Sequence, residues 1–338
     1  KKFINLQRKF KFSIIEIHNR PGYVKQLNNY IKNSVFSLYF HNDPLSMDGS
    51  KTVKERKDLL NICYKIIFNS NWSKKRFLEG LDNKFVNSNK LEVFFQSARK
   101  GKLSFLGKKK NWITFVGKLN KAKGYDIFSR SIKKVLNKFP NWKAKIIGDE
   151  KREKISLNHR NADLLGFQSH DKVLDIFKKT SIAVACSRWE EPFGRTSLEA
   201  SANGCAVIIT NKGGLPETVT NAKILKKLSD KSLEAELIDL IKDAKNRKIL
   251  QTLSIENFYL THKFVTDKID NYRDEKLLYN KSFNIRKNKL SQRILHITNF
   301  NERLDGRLFF NTGRRINNGF IRLNNSVIGF RDRDIQKY

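Results

Sequence analysis

Short apolar runs alternate with amphipathic segments along most of the chain. Residues 12–17 (FSIIEI), 35–40 (VFSLYF), 64–68 and 91–95 read as strands, each ending in a polar turn such as His18-Asn19-Arg20-Pro21-Gly22 or His41-Asn42-Asp43-Pro44. Helical spacing fills 22–32, 51–62 and 73–81. The stretch from Arg99 to Asn111 is basic and short of apolar residues, and reads as a hinge. A second series begins at Trp112. It has strands at 113–117, 143–147, 162–166, 182–185 and 205–210, and helices from Gly124 to about Asn137, at 171–179 and at 195–203. Two more helices are predicted at 231–245 and 247–262, then a charged helix and linker over 263–290. Strands that alternate with helices build parallel sheets covered on both faces.

The stretch Ser181–Glu217 concentrates the polar chemistry. It reads as strand, loop, helix, strand, loop, and in a doubly wound sheet ligands gather beyond the carboxyl ends of the strands. Glu191 lies in the first loop and Glu199 on the following helix, eight positions on. The free N–H groups of Phe193, Gly194 and Arg195 at the helix start favour an anionic or hydroxyl-rich ligand. Spacing alone leaves two readings equally open: two carboxylates holding separate groups of an elongated ligand, or a capping residue and a solvated helix residue.

EPFGRTSLEASANGCAVIITNKGGLPE, about 27 residues from Glu191 to Glu217, resembles the signature of retaining GT-B glycosyltransferases of the family 4 type (glycosyl transferases group 1). It has their E-x7-E pair, small-residue helix and GG-x-P-E loop. The resemblance implies that Glu191 binds hydroxyls of the donor sugar and Glu199 the nucleotide ribose, with the Phe193–Gly194 backbone at the sugar or phosphate. Gly117-Lys118-Leu119…Lys123-Gly124 is similar to the family's G-R-L-x-x-x-K-G stretch, which implies that Lys118 and Lys123 neutralise the donor diphosphate. Lysine stands where arginine is usual at 118, keeping the charge without the bidentate fork. Both lysines are also readable as surface charge. FHNDP resembles the loop whose histidine faces the donor sugar, which makes His41 a catalytic candidate and His18 a weaker one; a surface hydrogen-bonding histidine is the plainer reading.

Composition narrows the setting. The chain has 338 residues and a net charge of +35, with lysines spread throughout. A lysine-rich coding bias accounts for this, with a contribution from an anionic membrane surface as second reading. Cys63, Cys186 and Cys205 fit neither a metal nor a disulfide spacing, which suggests a reducing, cytoplasmic setting. No apolar run approaches the roughly 20 residues of a membrane span and no signal peptide is visible, so the expected place is cytoplasmic, with a peripheral position on the inner membrane face as second reading. The chain starts at Lys1 with Met47 as its only methionine, which points to a fragment.

The expected fold is therefore α/β: two Rossmann-like domains facing across a cleft, GT-B style, with the N-terminal domain (1–110) lacking its first strands. Residues 111–262 form the nucleotide-sugar-binding domain and 263–290 a linker. The tail (291–338) reads as β-α-β, the start of a further Rossmann-like module or the completion of the first domain by a strand at 292–298 laid parallel to 12–17. The resemblance implies transfer of a hexose from a nucleotide diphosphate sugar to a glycan or lipid-linked acceptor hydroxyl with retention, in surface polysaccharide or lipopolysaccharide synthesis. No cofactor and no metal are implied. Two alternatives are a basic nucleic-acid-binding module and a catalytically silent sugar-nucleotide binder; the first lacks a compact basic patch with interleaved aromatics, so no nucleic acid is expected.

Overall fold

The computed structural model describes residues 2–31, 34–279, 293–298, 312–323 and 325–331. The chain divides into two units, Lys1–Phe94 with Asp267–Tyr338, and Phe95–Thr266. The first unit opens with a helix the strand-helix pattern did not announce, α1 (Lys2–Phe10). Phe3 is buried on it, and Gln7 exchanges two hydrogen bonds with the main chain of Phe12, at 3.0 and 3.1 Å. Then follow β1 (Ile15–His18), α2 (Pro21–Tyr30), β2 (Phe36–Phe40), α3 (Val53–Ile62), β3 (Lys65–Phe68), α4 (Asn71–Leu78) and β4 (Leu91–Val93). Starts are set by local chemistry: Pro21 occupies the first turn of α2, Thr52 and Glu55 form a capping box on α3, and Ser70 caps α4.

The presumed hinge at 99–111 is instead packed into the second unit. Phe95 stacks on Phe193 with ring centroids 5.9 Å apart, and Gly101 N–H donates to the Ala202 carbonyl at 2.7 Å. Lys109 donates to the carbonyls of Phe177 and Asn203, at 3.0 and 2.8 Å. A cation there meets the negative ends of two helices, one with Phe177 in its last turn and one capped by Asn203. The division between units therefore falls at Phe94/Phe95 and not at 110.

The second unit continues with β5 (Lys110–Val116), α5 (Tyr125–Lys138), β6 (Lys143–Ile147), β7 (Ala162–Leu164), α6 (His170–Lys179), β8 (Thr180–Ala185), α7 (Arg195–Ala202), β9 (Ala206–Thr210), β10 (Ala222–Leu225), α8 (Asp230–Lys242) and α9 (Ala244–Glu256). Its sheet runs β10-β9-β8-β5-β6-β7, with every pair parallel. The edge strand β10 carries only one buried residue, Leu225, too weak a pattern to read as a strand. From β5 the chain winds outward through β6 and β7, then returns to place β8 on the other side of β5. The strand order reverses between β5 and β8, so the loops after these two strands flank the switch point, the usual ligand crevice of such sheets.

Beyond α10 (His262–Tyr279), within which the units divide, come β11 (Arg293–Thr298), α11 (Thr312–Arg322) and β12 (Ser326–Arg331). β11 pairs parallel with β1, with Ile15 opposite Leu295, Glu16 opposite His296 and Ile17 opposite Ile297. The six-stranded sheet is β12-β11-β1-β2-β3-β4. The tail thus supplies the ladder expected of a completing segment, and β1 is an interior strand. The segment between β11 and α11 and the linker end at 280–290 lie outside the described residues.

β1 is buried on both sides, but only one of its faces is apolar. Ile15 and Ile17 join Phe36, Leu38, Phe40, Leu295 and Ile297 in one apolar core. The alternate residues Glu16 and His18 face a buried polar layer. Arg273 of α10 grips Glu16 through two hydrogen bonds of 3.0 and 2.9 Å, and the Tyr39 hydroxyl donates to the same carboxylate at 3.1 Å. Burying an ion pair is tolerable only with such complete pairing.

Candidate functional site

In the second unit the two loops at the β5/β8 switch are stitched together. Arg188 and Trp189 N–H groups donate to the Ala122 carbonyl at 2.9 and 3.1 Å, and Ser187 Oγ donates to the same atom at 3.1 Å. Gly124 has φ +72°, and a Cβ there would lie 1.9 Å from the Cys186 carbonyl oxygen, so only glycine allows this approach. The loops bring Lys123, after β5, onto Glu191, after β8, as an ion pair with Glu191 largely buried. The Glu191 carbonyl in turn accepts from Gly214 N–H at 2.6 Å, and a Cβ on Gly213 would lie 2.1 Å from the same oxygen. The GG pair is thus the seat of the Glu191 main chain. Glu190 accepts from Gly213 N–H at 2.6 Å and pairs with Lys212 at 2.8 Å.

α7 starts beside this loop. Thr196 Oγ1 donates to the Val116 carbonyl, next to Gly117, at 3.3 Å. Phe193 is buried and Gly194 takes φ +114°, where a Cβ would meet the Leu215 side chain at 2.5 Å. One turn into the helix lies Glu199, 6 % exposed. Its Oε1 is held by His170 Nε2 at 3.0 Å and Arg195 Nη2 at 2.5 Å. Burial alone would raise this carboxyl's pKa; the His170 hydrogen bond and the Arg195 charge outweigh it and hold the group below the ordinary carboxylate range. Glu199 is thus an ionised, immobilised acceptor. Lys118 is exposed, and Lys123 is engaged with Glu191, so the expected pair of diphosphate cations consists here of one solvated lysine and one already partnered.

In the first unit His41 follows β2. Its N–H donates to Asn19 Oδ1 at 2.7 Å and its carbonyl accepts from Asn69 Nδ2 at 3.0 Å. Asn19 sits at φ +56°, a left-handed position asparagine tolerates better than most residues. The His41 ring shares a 2.9 Å hydrogen bond with His18 and stacks parallel to it. Burial, with His296 nearby, lowers the pKa of His41 to about 4. The sequence reading missed His170, whose partner is distant in sequence, and Arg195, although the Arg195–Glu199 spacing of four was a usable signal.

Residues 99–254 match the family described as Glycosyl transferases group 1. The spore coat protein SA of Bacillus subtilis is 26 % identical over 274 residues, 72 % of each chain. The lipopolysaccharide core biosynthesis mannosyltransferase of Rhizobium meliloti is 28 % identical over 153 residues, 42 % of each chain. Among solved structures, Anabaena HepE in complex with UDP superposes with a TM-score of 0.69 at 15 % identity, over 81 % of each chain; its complex with UDP-glucose gives 0.66. The fold is therefore that of GT-B enzymes, with two Rossmann-like halves, and the match of residues 99–254 together with these relatives shows the chain to be a glycosyltransferase.

Proposed function

We propose that the chain is a retaining hexosyltransferase that uses a nucleotide diphosphate sugar and glycosylates an acceptor hydroxyl in surface polysaccharide or lipopolysaccharide synthesis. The observation that carries this reading is the placement of Glu191 and Glu199 at the β5/β8 switch, with Glu199 ionised and held by two neighbours. A fixed carboxylate accepts two hydroxyl hydrogen bonds without reorganising, which suits a ribose. Lys123 exchanges Glu191 for the diphosphate when donor arrives, and this leaves Glu191 to orient the sugar hydroxyls. Lys118, the N–H groups around Phe193 and Gly194 and the start of α7 stabilise the charge that develops on the departing diphosphate. The glycosidic carbon–oxygen bond breaks toward the diphosphate, the acceptor oxygen bonds to the same face of the anomeric carbon, and the acceptor proton leaves with the diphosphate. No side chain is assigned as a covalent nucleophile and no metal or cofactor is invoked; His41 is the catalytic candidate of the first unit.

The similarity of the group 1 segment to a lipopolysaccharide mannosyltransferase supports the pathway, and the likeness to a fold solved with UDP-glucose supports the donor class. Among the described residues no helix is long and apolar enough to cross a membrane; the excess of cations fits attachment to an anionic surface. Following donor hydrolysis by proton NMR tests the chemistry. The first hexose released should carry the donor's anomeric configuration, and an inverted product would refute retention.

A further inference from the structure

In the first unit the strand order reverses between β1 and β11, and three histidines gather there from three adjacent parallel strands. His18 ends β1, His41 follows β2 and His296 lies on β11. His18 is central: its ring stacks on Tyr39 at 4.3 Å and on His41 at 5.3 Å, and meets His296 edge-on at 4.7 Å. Arg273 and Glu16 lie in the same buried layer, and His296 faces Asn317 at 3.4 Å. Among the described residues no group of three or more His, Cys, Asp or Glu side chains is placed to hold a metal ion.

We propose that His18 is the positioning residue of His41, fixing its ring so that His41 meets a ligand only through Nδ1. This rests on the reading of His41 as a catalytic residue. His41 Nε2 is taken by His18 Nδ1 at 2.9 Å, while Asn19 and Asn69 pin the main chain. His41 Nδ1 and His18 Nε2 are buried without a protein partner. A buried, unpaired ring nitrogen is costly, and such groups persist where function uses them. Burial keeps both rings neutral near pH 7, so one N–H lies in the shared bond and the outer nitrogens are opposite in character. If His41 donates to His18, His41 Nδ1 is an acceptor and His18 Nε2 a donor; if the bond runs the other way, both roles invert. A ligand hydrogen-bonded to His41 Nδ1 therefore selects the state of the whole pair, and without His18 the tautomer of His41 is no longer fixed.

Long-range proton–nitrogen NMR of the histidine rings, with donor turnover measured on a panel of UDP-, GDP-, ADP- and dTDP-hexoses, tests this. His18→Phe keeps the packing ring but no nitrogen, His18→Asn restores an amide near the Nδ1 position, and His18→Gln places it near Nε2. In the wild type at pH 7 with donor bound, His41 should show one tautomer. His18→Phe should give an averaged tautomer and at least a tenfold loss of kcat/KM, and His18→Asn should recover to within about threefold of wild type. On a His41→Ala background, His18→Phe should add less than about twofold, because a residue acting through another is non-additive with it. If His18→Phe fails to fold, the Asn and Gln variants decide, with Asn active and Gln impaired. A His41 tautomer indifferent to His18→Phe, equal Asn and Gln activities, or additive losses would overturn the proposal. Wild-type turnover by His41→Ala would instead overturn the reading of His41 on which it rests.

Discussion

The Glu199 carboxylate accepts a 3.0 Å hydrogen bond from His170, a residue 29 positions earlier in the chain. Ser169 caps α6, which begins at His170, and this capped start brings the imidazole to α7. Together with Arg195 it sets the charge and orientation of Glu199 before any ligand arrives. Glu199→Ala should weaken nucleotide binding at least tenfold, about 1.4 kcal/mol. Glu199→Gln, which keeps the shape but loses two charge-assisted bonds, should fall between. Calorimetric titration with free nucleoside diphosphates checks both.

The Lys123–Glu191 pair makes a second prediction. Lys123→Glu removes a diphosphate cation and sets two carboxylates against each other, so the donor dissociation constant should rise by at least about tenfold, roughly 1.4 kcal/mol. Glu191→Ala should leave free nucleotide binding within about twofold and impair the intact sugar donor. Equal losses for nucleotide and donor in Glu191→Ala would show that Glu191 does not read the sugar.

Much of this was legible in the chain. The alternation of short apolar runs with helical spacing placed most strands to within a few residues, and the Glu191–Glu217 stretch pointed to the loops that meet at the β5/β8 switch. What escaped depended on distant partners. Lys109 looked like hinge charge because the two helix ends it meets are built from residues around 177 and 203. The buried polar face of β1 is not legible locally because Arg273, which neutralises Glu16, lies 257 positions away. His41 was picked by resemblance, but nothing local reveals that His18 holds its ring.

The buried histidines predict a direction for stability against pH. Burial lowers His41 and His296 from 6.5 to about 4, and His18 well below its usual value. Between about 4 and 6.5 the unfolded chain binds protons that the folded chain refuses, so stability should decline as pH falls through that window. For His41 and His296 the drop from 6.5 to about 4 corresponds to roughly 3 kcal/mol each once fully protonated. Urea unfolding at pH 7.5 and pH 5 checks this; an unchanged midpoint would mean that the rings are hydrated in solution.

The pairing of β11 with β1 predicts that core residues on the tail carry stability for the first unit. Leu295 is fully buried against the β1 core. Leu295→Ala should cost about 2–5 kcal/mol in denaturant unfolding of that unit. A cost below about 0.5 kcal/mol would mean that the tail does not dock on β1.

The central claim is that this chain binds a nucleotide diphosphate sugar through Glu199 and its neighbours. Thermal unfolding with a panel of nucleotide sugars tests it most directly, since a ligand bound only by the folded state raises the midpoint by mass action. At least one donor and its free nucleoside diphosphate should raise the midpoint in the wild type, with the shift lost in Glu199→Ala at the same ligand concentration. A wild-type midpoint that no nucleotide sugar moves, alongside salt-sensitive stabilisation by DNA, would contradict the account and favour a nucleic-acid-binding module.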